Sequence, residues 1–382
     1  MVFDKWNECS LGELANLKYG KTIRKKELSD DGYPVFSGYA IVGYLPTFDY
    51  EEPQLIIVCR GVGGTGDIKL SPAKSSITNL SIIIDSDPSK IDKSFLYWYL
   101  KHADTHSLRT GSAQPQIVIK DLEKFKIKIP PMSEQKAIAH ILSTLDEKIE
   151  TNNQINEKLE EMAQALFKHW FVDFEFPNEN GKPYKSSGGE MVESELGMIP
   201  KGWGVGKLGD IISISSGKRP KEKQADSSEK YPFPIVGASS IMGYTSDFNY
   251  NEPVLIIGRV GTHGIIQRFT NKVWASDNTL VIKSKYYGFT YNILKSIDYK
   301  SLNRGSTQPL ITQKDIKNTT VLIPPSNVVN SYEDFYSSLF EKYRTNKVES
   351  DLLTKIRDSI LPKLMSGEIR VPLDDEVLSE KN

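Results

Sequence analysis

Cysteine is nearly absent. Cys9 and Cys59 are the only two in 382 residues, too few for a disulfide framework or a zinc site, so both are expected to be small buried thiols. Five histidines (His102, His106, His140, His169, His263) show no metal-ligand spacing and no nucleophile partner. No apolar run reaches the ~18 residues of a membrane span. Met1-Val2-Phe3-Asp4 does not open a signal peptide, so a cytoplasmic location is the expectation. No phosphate-binding G-x-x-x-x-G-K-[ST] loop occurs, and no Asp/Asn-Pro-Pro-aromatic tetrad of an amino-methyltransferase. Gly61-Val62-Gly63-Gly64-Thr65-Gly66 matches G-x-G-x-x-G. The segment that follows, Asp67-Ile68-Lys69-Leu70-Ser71-Pro72, is not the helix that a dinucleotide site needs, so a turn is the better reading. Asp67-x-Lys69 is nuclease-like only at chance level. The residues supply no identifiable catalytic set, no metal site and no cofactor site.

What the chain does have is itself, twice. Trp6-(x)4-Leu11-Gly12-Glu13 with Gly20-Lys21 recurs as Trp203-(x)4-Leu208-Gly209-Asp210 with Gly217-Lys218. Gly43-Tyr44 and Phe48-Asp49-Tyr50-Glu51-Glu52-Pro53 recur as Gly243-Tyr244 and Phe248-Asn249-Tyr250-Asn251-Glu252-Pro253. Gly111-Ser112-Ala113-Gln114-Pro115 and Ile129-Pro130-Pro131 recur as Gly305-Ser306-Thr307-Gln308-Pro309 and Ile323-Pro324-Pro325. A period near half the chain is far too long for a solenoid; it signals two copies of one domain, each with a connector. Such a duplication suits a partner that offers two similar sites.

The net charge of −1 hides a partition. Residues 1–131 hold 17 Lys+Arg and 16 Asp+Glu, and residues 201–325 hold 17 and 9. Residues 132–200 hold 6 and 13, and residues 326–382 hold 8 and 11. The repeated domains carry the positive charge, as expected if they meet a polyanion and the connectors do not. Lys18, Lys21, Arg24, Lys25 and Lys26 cluster in copy one, and Lys218, Arg219, Lys221 and Lys223 stand at the matching place. A solvated loop is the bland alternative; recurrence in both copies weakens it.

Short β-branched runs, Gln54–Val58 and Leu80–Ile84 with their repeats at 254–257 and 279–282, read as strands. Phe95–Leu100 and Tyr291–Lys295 read as helical turns, so each globule is expected to be α+β. After each Ile-Pro-Pro the period changes. Leu142, Leu145, Ile149, Asn152, Asn156, Leu159, Ala163, Leu166 and Trp170 keep a 3,4 spacing. Tyr336, Leu339, Tyr343, Asn346, Ser350, Leu353, Arg357, Ile360 and Leu364 match them. Two long helices are expected, pairing antiparallel, with Asn152 and Asn346 as a register-fixing polar pair; the alternative is that each packs on its own globule. Pro177, Gly181, Pro183, Ser186–Gly189 and Pro200-Lys201-Gly202 predict an irregular linker over residues 173–202.

Together these features resemble the specificity (S) subunit of type I restriction-modification systems. The stretches that carry the resemblance are Gly-Ser-x-Gln-Pro and Ile-Pro-Pro closing each globule, Glu134-Gln135-Lys136-Ala137-Ile138-Ala139 opening the first helix, Ser194–Trp203 entering the second globule and Leu361–Ile369 closing the second helix. Asn327-Val328-Val329-Asn330 departs from the pattern at the second helix opening. The resemblance implies an α+β protein: two target recognition domains (1–131 and 203–325), two antiparallel coiled-coil spacer helices (132–172 and 326–370), a linker (173–202) and a tail (371–382), in pseudo-two-fold arrangement. It implies a non-catalytic subunit that reads a bipartite double-stranded DNA target and holds two methyltransferase (M) subunits and restriction (R) subunits. S-adenosylmethionine would then sit on the M subunit, and ATP and Mg on the R subunit. The alternatives are a stand-alone DNA methyltransferase or nuclease with unrecognised motifs, and a coiled-coil protein-binding scaffold.

Phosphate contacts are expected from Lys21, Arg24 and Lys25 and from Lys218, Arg219 and Lys221. Base contacts are expected from Arg60 in copy one and from Arg259 and His263 in copy two, with Arg109, Gln114, Arg304 and Gln308 as further candidates. Each Gln-Pro could instead simply hold a turn. The acidic helix face (Glu147, Glu150, Glu157, Glu160, Glu161) with Phe167, Trp170 and Phe171 is the expected M-subunit dock; packing of those aromatics on a globule or the linker is the equal alternative.

Overall fold

The computed structural model describes residues 6–61, 64–111, 114–260, 264–302 and 310–371. It divides into two compact units, Met1–Asn153 with Lys347–Asn382, and Gln154–Asn346. The chain passes from one unit to the other inside both long helices.

In unit 1 the strands are β1 (Asn7–Ser10), β2 (Ala15–Tyr19), β3 (Tyr33–Phe36), β4 (Ile41–Leu45), β5 (Leu55–Val58), β6 (Ile68–Leu70), β7 (Ser76–Ile77), β8 (Ser81–Ser86) and β9 (Lys126–Ile129). They form a four-stranded antiparallel sheet β2-β8-β5-β6, a three-stranded sheet β4-β3-β7 and the pair β1-β9. Unit 2 holds a hairpin, β10 (Met191–Ser194) and β11 (Gly197–Pro200), and then β12 (Gly204–Lys207), β13 (Ile212–Ser216), β14 (Phe233–Val236), β15 (Ile241–Thr245), β16 (Val254–Gly258), β17 (Ile266–Phe269), β18 (Trp274–Ala275), β19 (Thr279–Ser284) and β20 (Thr320–Ile323). Its sheets β13-β19-β16-β17, β15-β14-β18 and β12-β20 repeat the plan of unit 1. The longer helices are α1 (Lys93–His102), α2 (Met132–Phe171), α3 (Tyr287–Ser296) and α4 (Ser326–Ser366).

The central strands are apolar at consecutive positions because both faces of each four-stranded sheet are covered. Leu55, Ile57, Ile82 and Ile84 face the main core with Phe95, Leu96 and Trp98 of α1. Ile56 and Ile83 face the other way, onto Ile77 and Phe36 of the three-stranded sheet. In unit 2, Leu255, Ile257, Leu280 and Ile282 face Phe289 and Leu294, while Ile256 and Val281 meet Val236 and Ala275. Each such fully buried side chain stabilises by roughly 1.5–3 kcal/mol.

In each unit the long helices pair antiparallel, with no seam position exposed. In unit 1, Glu134, Asp146 and Asn152 bond Arg370, Arg357 and Glu349, so the partners descend as α2 ascends. In unit 2, Asn346 donates to Asn156 Oδ1 at 3.0 Å, and Trp170 packs on Tyr332 and Phe335. The expected Asn152/Asn346 pair is thereby corrected: each asparagine bonds within its own unit, because antiparallel stagger sets Asn156, one turn on, opposite Asn346. The variant opening of α4 still starts a helix at Ser326; there Val328 and Val329 are buried in the core of unit 2, so apolar docking stands in for the polar opening of α2.

Residues 173–202 are not the irregular linker expected. They carry the β10–β11 hairpin, a Pro177–Pro183 bridge and the stacked rings of Phe176 and Tyr184, 4.7 Å apart. Phe174 and Phe176 pack on Trp203. The Pro and Gly residues make tight turns, and the aromatics between them give those turns a core to close on.

Candidate nucleic-acid interface

The recurring Gly-Lys pairs have a backbone origin. Gly20 N–H donates to Ser81 O at 3.0 Å and Lys21 N–H to Ile77 O at 2.8 Å, laying the end of β2 against residues 77–81. A Cβ on Gly20 would lie 2.2 Å from Thr78 O. In unit 2, Gly217 N–H donates to Thr279 O and Lys218 N–H to Ala275 O; a Cβ on Gly217 would lie 2.0 Å from Ser276 O. Only glycine permits this approach, and it delivers an exposed lysine to the same point of both units.

The two lysines differ in setting. Lys21 forms an ion pair with Asp49, and that hydrogen bond raises the lysine's pKa. The counterpart of Asp49 is Asn249, whose amide bonds Ala275 at both N and O. At this place unit 2 thus has an amide where unit 1 has the carboxylate that pairs with Lys21. Beyond each lysine the chain carries the other expected phosphate contacts, Arg24 and Lys25 or Arg219 and Lys221, all exposed. It then bridges to the hairpin, Ser29 to Tyr44 and Gln224 to Tyr244. Beside that bridge lies a feature the sequence reading missed. Ile41 and Val42 are each 47% exposed, and their counterparts Ile241 and Met242 are 47% and 39% exposed. Apolar pairs held open in both copies next to the basic segment are suited to thymine methyls and sugar faces. The sequence signal is the Ile-x that precedes the repeated Gly-Tyr in both copies.

Arg60 is exposed, with its guanidinium 5.4 Å from the centre of the Tyr19 ring. It shares an open pocket of about 420 Å³ with Gln114 and Gln116, so the structure brings two expected base contacts together. Arg109 does different work. Its Nε donates to Thr65 O at 2.6 Å and its guanidinium meets His106, bracing the glycine-rich turn. Arg60 and Arg259 are not equivalents. Val58 and Gly258 hold the same register against Ser81 and Thr279, so Arg259 matches the buried Cys59 and Arg60 matches Val260. Arg259 lies just past the end of β16 and is half-buried, where Arg60 is exposed. His263, Arg304 and Gln308 lie outside the described residues.

The aromatic dock is corrected. Trp170 and Phe171 are 4% exposed, packed with Tyr332, Phe289 and Trp203 in the core of unit 2, and Phe167 joins them part-buried. Glu160 leaves the acidic surface too: it pairs with Arg268 and accepts from Tyr291 Oη at 3.1 Å. Packing on the unit's own sheet and α3 consumed the area the dock would have used. No described helix is long and apolar enough to cross a membrane.

The family described as the type I restriction modification DNA specificity domain matches residues 4–161 and 200–350, one match to each copy. The type I restriction enzyme MjaIX specificity subunit of Methanocaldococcus jannaschii is 33% identical over 289 residues, 68% of this chain and 64% of that protein. The chain thus spans just under two thirds of that relative. The EcoDI specificity subunit of Escherichia coli is 24% identical, covering 95% of this chain and 88% of its own. The crystal structure of a type I restriction-modification system S subunit from M. genitalium shares the fold, with a TM-score of 0.67 and 20% identity over 95% of this chain and 96% of that one. With both copies matched and the same sheet plan in each, the chain belongs to the type I restriction-modification DNA specificity family.

Proposed function

We propose that this protein is the non-catalytic DNA-recognition subunit of a type I restriction-modification complex. Each unit reads one half of a bipartite double-stranded target, and the paired helices fix the gap between halves. The observation that carries this reading is the duplicated Gly-Lys approach: a glycine-only backbone contact sets an exposed lysine, a basic segment and an open apolar hairpin at one place in both units. Lysines and arginines there position phosphates, and Arg60, with Gln114 beside it, reads a base edge in unit 1. Partners in this reading are two methyltransferase subunits, which supply S-adenosylmethionine chemistry, and restriction subunits, which supply ATP and Mg. This chain contributes binding and spacing.

Modified-base sequencing of the host genome with and without this gene tests the reading. A split motif with a constant gap of roughly five to eight base pairs, half-sites one DNA turn apart, is expected to lose methylation when the gene is removed. An unchanged methylome overturns the reading. Inserting four residues in both helices, at Asn152 and at Asn346, adds about 6 Å at ~1.5 Å per residue. The gap is then expected to grow by one or two base pairs at about 3.4 Å each, with both half-sites unchanged.

A further inference from the structure

The two units differ at one matched place beside the fourth strand of the main sheet. Leu55 faces Leu70 in unit 1 as Leu255 faces Arg268 in unit 2, so Leu70 and Arg268 are counterparts. In unit 2 the guanidinium of Arg268 lies 4.4 Å from the ring centres of Tyr291 and Tyr343 and 4.7 Å from that of Phe340. It also bonds Glu160 and donates to Tyr336 Oη at 3.1 Å. The space left there is about 10 Å³.

Unit 1 keeps one wall of that socket, a single tyrosine, and lacks the plug. Tyr97 matches Tyr291, but Leu70 replaces the arginine and stays 45% exposed, and Asp146 and Ile149 replace Phe340 and Tyr343. A groove of about 760 Å³ opens between Leu70, α1 and α2, with a mostly apolar floor. Glu52, Asp146, Glu147 and Glu150 line it against one lysine, Lys93, whose ammonium is bonded to Pro53 O. Arg357 reaches Asp146 from α4, and Lys101 lies over the Tyr97 ring. An acidic wall repels nucleic acid, and an apolar floor beneath it suits an amphipathic basic segment.

We propose that this groove docks a basic segment of a partner protein, which inserts an arginine over Leu70 against Tyr97 and Glu147, supplying from outside the guanidinium that unit 2 carries in its own chain. The inference stands on this comparison and does not depend on DNA reading. Docking through it is asymmetric, since unit 2 is already filled.

The test is a saturation-transfer NMR titration of the full chain with acetyl-arginine methylamide, using acetyl-leucine methylamide as control. The arginine probe is expected to bind in the millimolar range, about five-fold tighter than the leucine probe. Leu70→Arg, which installs the plug, and Glu147→Lys, at an exposed position, are each expected to abolish that preference with the thermal midpoint kept. No preference in the unaltered chain, or a preference surviving both substitutions, overturns the proposal. A concentration-dependent dimer of the chain that Leu70→Arg dissolves would assign the groove to a second copy and overturn it as well.

Discussion

Unit 1 and unit 2 share a sheet plan, strand registers and the glycine approach at the end of β2 and β13, yet they fill the same frame differently. Where unit 2 has Arg268 among three rings, unit 1 has an open groove. Where unit 1 pairs its recurring lysine with Asp49, unit 2 has Asn249 in the counterpart position. The polar seam also differs: Asn346 donates to Asn156 in unit 2, whereas Asn152 Oδ1 and Ser350 Oγ are buried in unit 1 without partners. Ladder hydrogen bonds and apolar strand runs define the module; the charges set on it are free to diverge.

The largest expected effect separates the two fillings. Arg268→Ala strips a half-enclosed carboxylate, Glu160, of its main partner and leaves a ring-lined void, which costs about 3–5 kcal/mol. Leu70→Ala, at the matching but exposed position, is expected to cost less than about 1 kcal/mol. Denaturant midpoints of the two variants measure the difference, and equal losses would mean that the Arg268 cage is not a structural element of unit 2. The seams sharpen the comparison at the next level. Asn346→Ala orphans Asn156 and is expected to cost roughly 1–3 kcal/mol. Ser350→Ala removes a hydroxyl that has no partner and is expected to be neutral or mildly stabilising.

Much of this frame was legible in the sequence. The repeat gave two modules, the β-branched runs gave the central strands, and the 3,4 spacing gave α2 and α4, because apolar period follows directly from backbone geometry. The site was legible only in part. Gly20-Lys21 and Gly217-Lys218 stand out, but the sequence alone does not show that Arg259 matches Cys59 rather than Arg60. That takes strand register, and a one-residue shift turns a side chain to the other face. The aromatics at the end of α2 misled for a related reason. Their number was visible, but the partners that bury them, Phe289 and Tyr332, lie more than 100 residues away in the chain.

The lysine contrast is tested through salt. If both lysines neutralise phosphates, each removes about 0.9 from the slope of log affinity against log salt. Lys218→Ala is expected to show that full loss. Lys21→Ala is expected to show less, because Lys21 must first leave Asp49. Asp49→Asn makes unit 1 resemble unit 2, and is expected to tighten DNA binding up to a few-fold and bring the Lys21 effect level with that of Lys218. Filter-binding or anisotropy titrations at several salt concentrations, on the assembled complex, decide it. Base-selective losses for either lysine would contradict a phosphate role.

The smallest expected effect concerns how each unit secures the helix that packs on its sheet. In unit 1, α1 is capped by its own Asp92, whose side chain accepts from Phe95 N–H at 2.9 Å, and the neutral Gln135 accepts from Asp92 N–H. In unit 2, α3 begins without a side-chain cap of its own. Glu333 reaches over from α4 to accept from Gly288 N–H at 3.0 Å and Phe289 N–H at 2.7 Å. Burial raises the Glu333 pKa above its ordinary 4.5, and the two backbone donors pull the other way without cancelling the shift. A raised folded-state value means that the protonated carboxyl favours the folded protein. That contribution is complete below about 4.5 and is lost as pH rises through the folded-state value. Glu333→Gln keeps one of the two oxygen acceptors for α3, a loss that does not vary with pH, and removes the titration. Between pH 4 and 7 the unaltered protein is therefore expected to lose stability relative to Glu333→Gln as pH rises, while Gln135→Glu in unit 1 is expected to add a titrating group at the start of α1 and change the slope there. Urea midpoints across that range read both slopes. If the unaltered protein gains stability over Glu333→Gln with rising pH, the charged carboxylate at the α3 N-terminus outweighs its burial, and the two caps differ in strength rather than in cost.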